Sequence, residues 1–311
     1  DTAALHKRQN VLVGSETGNP AICNDAFAAP LCGLTVYGKS TQDGTPTPDN
    51  PVPIVSAGDS GSLAVKVTGK NLFYEQEFQQ YFINSAGNTV GLATGNVSCV
   101  LQVVTGAKYY VTRSKIGAKF RAAVVDKLPT LGNPVTPSSG INADSKRQIE
   151  ISATSKYMVI QCEDEAAFSE LMVSLDSSTT YSPYREQLLT LSTPNGLPGI
   201  PITSGGNYTD QNGQQWVCDE VDLERGVKVQ RVDKAAFDST KTLAEQNAIL
   251  ATPIETPLTP AEIAAYKALT AYAPATVVQA SDGAGAKLEY QRDVNIAIKK
   301  LEDTIASMTA T

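Results

Sequence analysis

The stretch that decides the fold runs from Val97 to Val125: Val97-Ser-Cys-Val-Leu-Gln-Val-Val104, then Lys108-Tyr-Tyr-Val-Thr-Arg113, then Phe120-Arg-Ala-Ala-Val-Val125. Each run is short and rich in β-branched and aromatic residues, and Thr105-Gly106 and Ile116-Gly117 separate them as turns. Such residues suit a pleated, half-buried surface, whereas a helix would need apolar positions three and four apart. The same pattern continues through Gln148–Ser152, Tyr157–Gln161, Glu170–Leu175 and Gln187–Leu191. Leu128 to Gly140, with its prolines, and Asp176 to Thr180 supply further turns. Short strands at this spacing, punctuated by Gly and Pro, predict a jelly-roll-like β-sandwich over residues 71–191.

Upstream, residues 1–32 are weakly patterned and are expected to form an N-terminal arm that orders against a partner. Gly33–Lys39 and Ser62–Thr68 each alternate as strands. The prolines of Ser40–Gly61 (Pro46, Pro48, Pro51, Pro53) make the intervening chain a stiff connector, so residues 33–70 read as a strand pair. Downstream, residues 192–206 read as a Pro/Gly linker. They lead into a small β-meander that ends at Val232, with Asn212-Gly213 and Arg225-Gly226 as its turns. A helical part is expected over 233–290: Lys234–Leu250, then Pro260–Leu269 with Thr259 as its cap and Pro260 in its first turn. Within it Thr276–Val278 and Ala286–Tyr290 look extended.

The last segment, 291–311, places Val294, Ile298, Leu301, Ile305 and Met308 at alternating spacings of four and three. These are the a and d positions of a short coiled coil, with a helix docked on its own domain as the alternative. Isoleucine at the a positions favours more than two strands, so a homotrimer is expected. The fold class is therefore mainly β: a jelly-roll-like β-sandwich plus a small β-meander, with a helical C-terminal part ending in a short coiled coil.

Composition removes several functions. The 311 residues hold 25 Lys and Arg against 32 Asp and Glu, a net charge of −7, which speaks against nucleic-acid binding. The one histidine, His6, lies near the terminus, so a Ser-His-Asp or Cys-His nucleophile has no base. The five cysteines form no CxxC pair, so neither a zinc site nor a disulfide framework is expected. Cys99 and Cys162 read as small buried hydrophobes, which suits folding in a reducing cytosol. No apolar run is long enough for a membrane helix, and no signal-peptide core is seen. The first residue is Asp, so a processed chain or a fragment is expected. No cofactor and no metal are implied; Asp210-Gln-Asn-Gly213 reads as a turn rather than a calcium loop.

Two constellations could carry function. The carboxylates Asp219, Glu220, Asp222 and Glu224 could supply a glycosidase pair, but neighbours on a strand point to opposite faces, so a solvated hairpin is the plainer reading. The aromatics Tyr74, Tyr81, Tyr208 and Trp216 are candidate contacts for a glycan or a protein partner, with core packing as the alternative.

Four segments add a resemblance. Tyr37-Gly-Lys-Ser-Thr-Gln-Asp-Gly-Thr-Pro-Thr-Pro-Asp-Asn-Pro-Val-Pro-Ile54 with Gly69-Lys-Asn-Leu-Phe73 is the first, and Leu191 to Asp210 the second. Gln214 to Asp222 with Arg225-Gly-Val is the third, and Thr252 to Lys267 the fourth. In that order they resemble tail proteins of phages and prophages of Gram-positive gut bacteria. Val173 to Tyr184 is similar to the closing strand of a carbohydrate-binding-module-like jelly roll in that family, with Asp176-Ser177 where Glu-Gly is usual. The resemblance implies a virion structural protein, a tail-fibre, tail-tip or baseplate component made in the bacterial host cytoplasm. Its implied partners are itself, other tail proteins and a host cell-surface glycan. A pure connector and a virion-associated glycan-degrading enzyme are the rivals. The family carries over no catalytic residues.

Overall fold

A computed structural model describes residues 7–8, 21–24, 31, 33–74, 78–103, 105–114, 116–117, 119–210, 212–272, 275–288 and 290–291. The first strands are β1 (Lys7–Arg8), β2 (Ala21–Asn24), β3 (Leu34–Tyr37), β4 (Ser40–Gln42), β5 (Ile54–Ser56) and β6 (Gly61–Thr68). Next come β7 (Tyr81–Ile83), β8 (Val90–Leu92), β9 (Val97–Gln102), β10 (Lys108–Thr112) and β11 (Phe120–Val125). They are followed by β12 (Ser139–Asn142), β13 (Gln148–Ser152), β14 (Tyr157–Cys162), β15 (Met172–Ser174) and β16 (Glu186–Thr193). The remainder holds β17 (Gly199–Ile202), β18 (Tyr208–Thr209), β19 (Gln215–Cys218), β20 (Glu220–Asp222), β21 (Val227–Val232) and β22 (Ile249–Pro257). Helix α1 (Pro260–Lys267), β23 (Ala275–Ala280), β24 (Gly285–Leu288) and β25 (Tyr290–Gln291) complete it.

The chain is mainly β, as its composition of strand formers demands, and it forms two sandwiches. In the first, the sheets β12-β11-β14-β9 and β13-β10-β15 are antiparallel and face each other. Phe120, Ala122, Met158 and Ile160 of one sheet share a core with Val111, Ile149, Ile151 and Val173 of the other. The outer face of β11 and β14 is covered by the β7-β8 hairpin, through Tyr81, Ile83 and Val90 against Ala123, Val125 and Val159. Burial on both faces explains why Phe120–Val125 and Tyr157–Cys162 read as near-continuous apolar runs rather than clean alternations.

The pieces expected to be separate on either side of that sandwich form one second sandwich, the base. Its sheets are β16-β6-β23-β2 and β22-β21-β20-β3-β24, with β17-β19-β18 alongside. Leu63, Val65, Val67, Leu189, Leu191 and Val278 pack against Leu34, Val36, Val221, Ala286 and Leu288. Strands β3 and β6 therefore do not pair with each other: β3 pairs with β20 and β24, and β6 with β16 and β23. Strand β16 belongs to the base rather than closing the first sandwich. Glu186 lies opposite Thr68, so residues 69–185 are an insertion at the end of the β6-β16 ladder.

Three further expectations change. Lys234–Leu250 is not a helix. It holds single 3-10 turns at Lys234–Ala236 and Leu243–Glu245 before β22 begins. Side chains compete with helical bonding there: the Asp238 carboxylate accepts from the Thr240 N–H, and the buried Gln246 amide accepts from the Asp238 N–H and donates to the carbonyls of Asp238, Lys241 and Thr242. The 192–206 linker contains β17, which pairs with β19. The expected arm supplies β2, which pairs with β23, and β1, which pairs with β25. The helix at Pro260 does form, with Thr259 and Glu262 in a reciprocal cap. The coiled-coil positions Val294, Ile298, Leu301, Ile305 and Met308 lie outside the described residues.

Strand β22 is the edge of its sheet, and it is exposed along almost its whole length. The Leu258 N–H donates to the Gly226 carbonyl, so by alternation residues 257 and 255 turn their backbone polar groups outward, before the register shifts beyond Ile254. Pro257 has no N–H to offer a further strand.

Candidate functional site

An open cavity on the inserted sandwich has a volume of about 520 Å3 and lies where the insertion leaves and rejoins the base. Asn71, just beyond β6, is the pin. Its buried amide donates to the carbonyls of Leu171 (3.2 Å) and Ser182 (3.0 Å) and accepts from the N–H groups of Phe73 (2.9 Å) and Val173 (3.1 Å). Every hydrogen-bonding position of one side chain used in this way joins the outgoing chain to both the β15 end and the returning loop. Lys70 beside it is buried, donates to the Ser178 carbonyl and pairs with Asp176 at 3.2 Å.

Aromatic rings form the floor. Phe168 sits 6.2 Å from Phe73 and 5.0 Å from Phe78, centroid to centroid. Phe168 ends the 3-10 turn Glu165–Phe168, which Asp164 caps by accepting from the Ala167 N–H. Tyr181 and Tyr184 line the rim, and Tyr181 keeps 44% of its surface in solvent. Burial, reinforced by its hydrogen bond to Glu186, holds the Tyr184 phenol well above its ordinary pKa, so it stays a neutral donor. Glu165, Ser169 and Glu170 complete the wall. Glu170 has φ of 57°, a left-handed backbone that a non-glycine residue rarely adopts. Tyr184 also lines a smaller adjoining cavity of about 150 Å3, shared with Lys66, Tyr74, Gln102 and Gln279. Stacked rings with convergent polar groups suit the apolar faces and hydroxyl edges of a ring-shaped ligand such as a sugar.

Of the aromatics singled out from sequence, only Tyr74 is at this surface, 45% exposed and 5.7 Å from Tyr184. Tyr81 is buried on the inner face of the β7-β8 hairpin, against β11 and β14. Tyr208 and Trp216 are buried in the base, where Tyr208 stacks on Tyr37 at 4.7 Å. The Trp216 indole N–H donates to Asp210, and Lys39 lies over its ring at 4.3 Å while pairing with Asp210. These three are core residues, not contact residues. Sequence reasoning passed over Phe73, Phe168, Glu170, Tyr181 and Tyr184 as site residues. The available signal was Tyr181-Ser-Pro-Tyr184, aromatics in a proline turn where no strand pattern explains them.

The carboxylates considered for glycan hydrolysis all have partners. Asp219 accepts from the N–H groups of Arg231 (2.7 Å) and Val232 (2.8 Å), and burial pushes it up to about 6 against those bonds. Glu220 pairs with Arg231 at 2.9 Å and accepts from Asn207. Asp222 caps the turn at Arg225, and Glu224 accepts from the Gly33 N–H and the Tyr266 hydroxyl. A cavity of about 300 Å3 touches Asp219 and Glu220, where the Asp219 Oδ1 and both Glu220 oxygens accept the bonds just named. Among the described residues no group of three or more His, Cys, Asp and Glu is placed to hold a metal ion, and no helix is long and apolar enough to cross a membrane. No family model matches the chain, and neither the curated proteins nor the solved structures contain a match to it.

Proposed function

We propose that the chain is a virion structural protein of a phage tail, whose inserted sandwich contacts a glycan of the host cell surface. The observation that carries this reading is the aromatic cavity at the root of the insertion. Its pin and its rim, Asn71, Phe73, Tyr181 and Tyr184, come from the segments Gly69–Phe73 and Val173–Tyr184 that resemble tail proteins. The base would hold the particle side, joined to other tail proteins, and the heptads after Gln291 would gather three copies. Three shallow sites on one particle raise effective affinity without any new contact. The rival connector has no use for an open aromatic cavity, and the carboxylates considered for hydrolysis, Asp219, Glu220, Asp222 and Glu224, lie outside that cavity.

The test is capture of purified host cell-wall polysaccharide by the wild type and by Tyr181→Ala. Tyr181 is exposed, so its truncation leaves the core intact, and a loss of about tenfold in affinity is expected for one stacking ring. Capture by neither protein favours the connector; equal capture by both places the contact elsewhere.

A further inference from the structure

The cavity beneath Tyr181 is uneven in charge. Among the described residues its lining contains two carboxylates, Glu165 and Glu170, and no lysine, arginine or histidine. The surrounding acids are engaged: Glu163 faces Arg113 at 3.6 Å, Asp164 caps the 3-10 turn, Asp176 faces Lys70, and Glu186 faces Lys66 at 3.7 Å. Glu165 and Glu170, both exposed, have no ion-pair partner among the described residues. Glu170 reaches the wall through its left-handed backbone, an arrangement that persists only where neighbours impose it.

Five aromatic rings, Phe73, Phe78, Phe168, Tyr181 and Tyr184, line the same space. Ring faces carry negative potential and attract a cation, and two free carboxylates add to that attraction. Both features repel a phosphate or a uronate. We infer that the cavity takes a saccharide bearing a protonated amine, an amino sugar or an aminoacylated chain, in preference to its N-acetylated or anionic counterparts. This rests on the glycan reading of the cavity and narrows it to one chemical class.

The test compares chito-oligosaccharides of equal length in fully deacetylated and fully acetylated form, by calorimetry on the full chain in mildly acidic buffer. The amine form is expected to bind about tenfold more tightly, with the difference shrinking at high salt. Glu165→Gln with Glu170→Gln should abolish the difference while leaving the thermal midpoint unchanged, because neither carboxylate holds a structural bond to any of the described residues. Equal or tighter binding of the acetylated form overturns this inference and leaves the glycan reading standing. Failure of the amine form to bind, while host polysaccharide is still captured, also overturns it. Failure of both oligosaccharides and of the polysaccharide removes the glycan reading as well.

Discussion

Replacing Arg113 with Met should unfold the inserted sandwich before the base. Arg113 is fully buried, and its guanidinium donates to the carbonyls of Lys146 (3.0 Å), Lys119 (2.9 Å), Gly117 (3.2 Å) and Asp144 (2.7 Å). It also faces Glu163 at 3.6 Å and lies over the Phe120 ring at 4.4 Å. One side chain thus ties the β10-β11 loop to the β12-β13 loop and to the end of β14. Hydrogen bonds to a charged group contribute roughly 1.5–3 kcal/mol each, but four on one group are not additive. Those loops are partly open, so water can recover some of the carbonyls. Breaking one partner of a buried ion pair costs roughly 3–5 kcal/mol, and that is the expected loss. With a urea dependence of about 2 kcal/mol/M, the midpoint for the insertion falls by roughly 2 M. The assay is urea unfolding followed by far-ultraviolet circular dichroism and by the fluorescence of Trp216. That residue is the only tryptophan, and it reports the base alone. An early dichroism phase with an unmoved fluorescence transition is expected. A loss below about 1 kcal/mol, or a fluorescence transition that moves in step, would refute the reasoning.

Three other outcomes follow from the same coordinates. Burial raises Asp219 from 3.8 to about 6, so the folded state holds its proton more tightly than the unfolded chain. The stability this contributes, about 3 kcal/mol, is complete below about pH 4 and lost as pH rises through 6; Asp219→Asn should flatten that step in a pH series of melts, and parallel curves would contradict it. Restoring the outward N–H of β22 with Pro257→Thr should produce concentration-dependent self-association by light scattering, and a size identical to wild type would show that the edge needs no such protection. Ending the chain before Gln291 should convert a trimer to a monomer in the same measurement; a monomer before and after truncation would end the trimer proposal.

The strands were legible because pattern and burial agree along them. Phe120–Val125, Gln148–Ser152 and Tyr157–Cys162 fall within a residue or so of their expected limits. Helix α1 was legible for a related reason, since Thr259, Pro260 and Glu262 write its start into adjacent positions. What was not legible was partnership. Nothing local in Ser62–Thr68 says that its neighbours are residues 186–193 and 275–280, more than a hundred positions away. Without that pairing the base falls apart into a strand pair, a linker, a meander and a helical segment. The site suffered in the same way. Trp216 and Tyr208 attracted notice as aromatics in a polar neighbourhood, yet the Tyr37 ring that buries Tyr208 lies far upstream. Glu165 and Tyr181 become neighbours only when Asn71 draws both ends of the insertion together.

The placing of the insertion has a consequence for how such a molecule can diversify. Thr68 and Glu186 lie opposite each other on adjacent antiparallel strands, separated by a single ladder spacing of about 5 Å. To the base, everything between them is equivalent to a long hairpin loop, and lengthening such a loop adds only logarithmically to the cost of closing it. Any domain whose chain enters and leaves side by side could be exchanged at this point by recombination, and the base would keep its own core. The inserted part can therefore change wholesale while the part that it stands on is inherited intact.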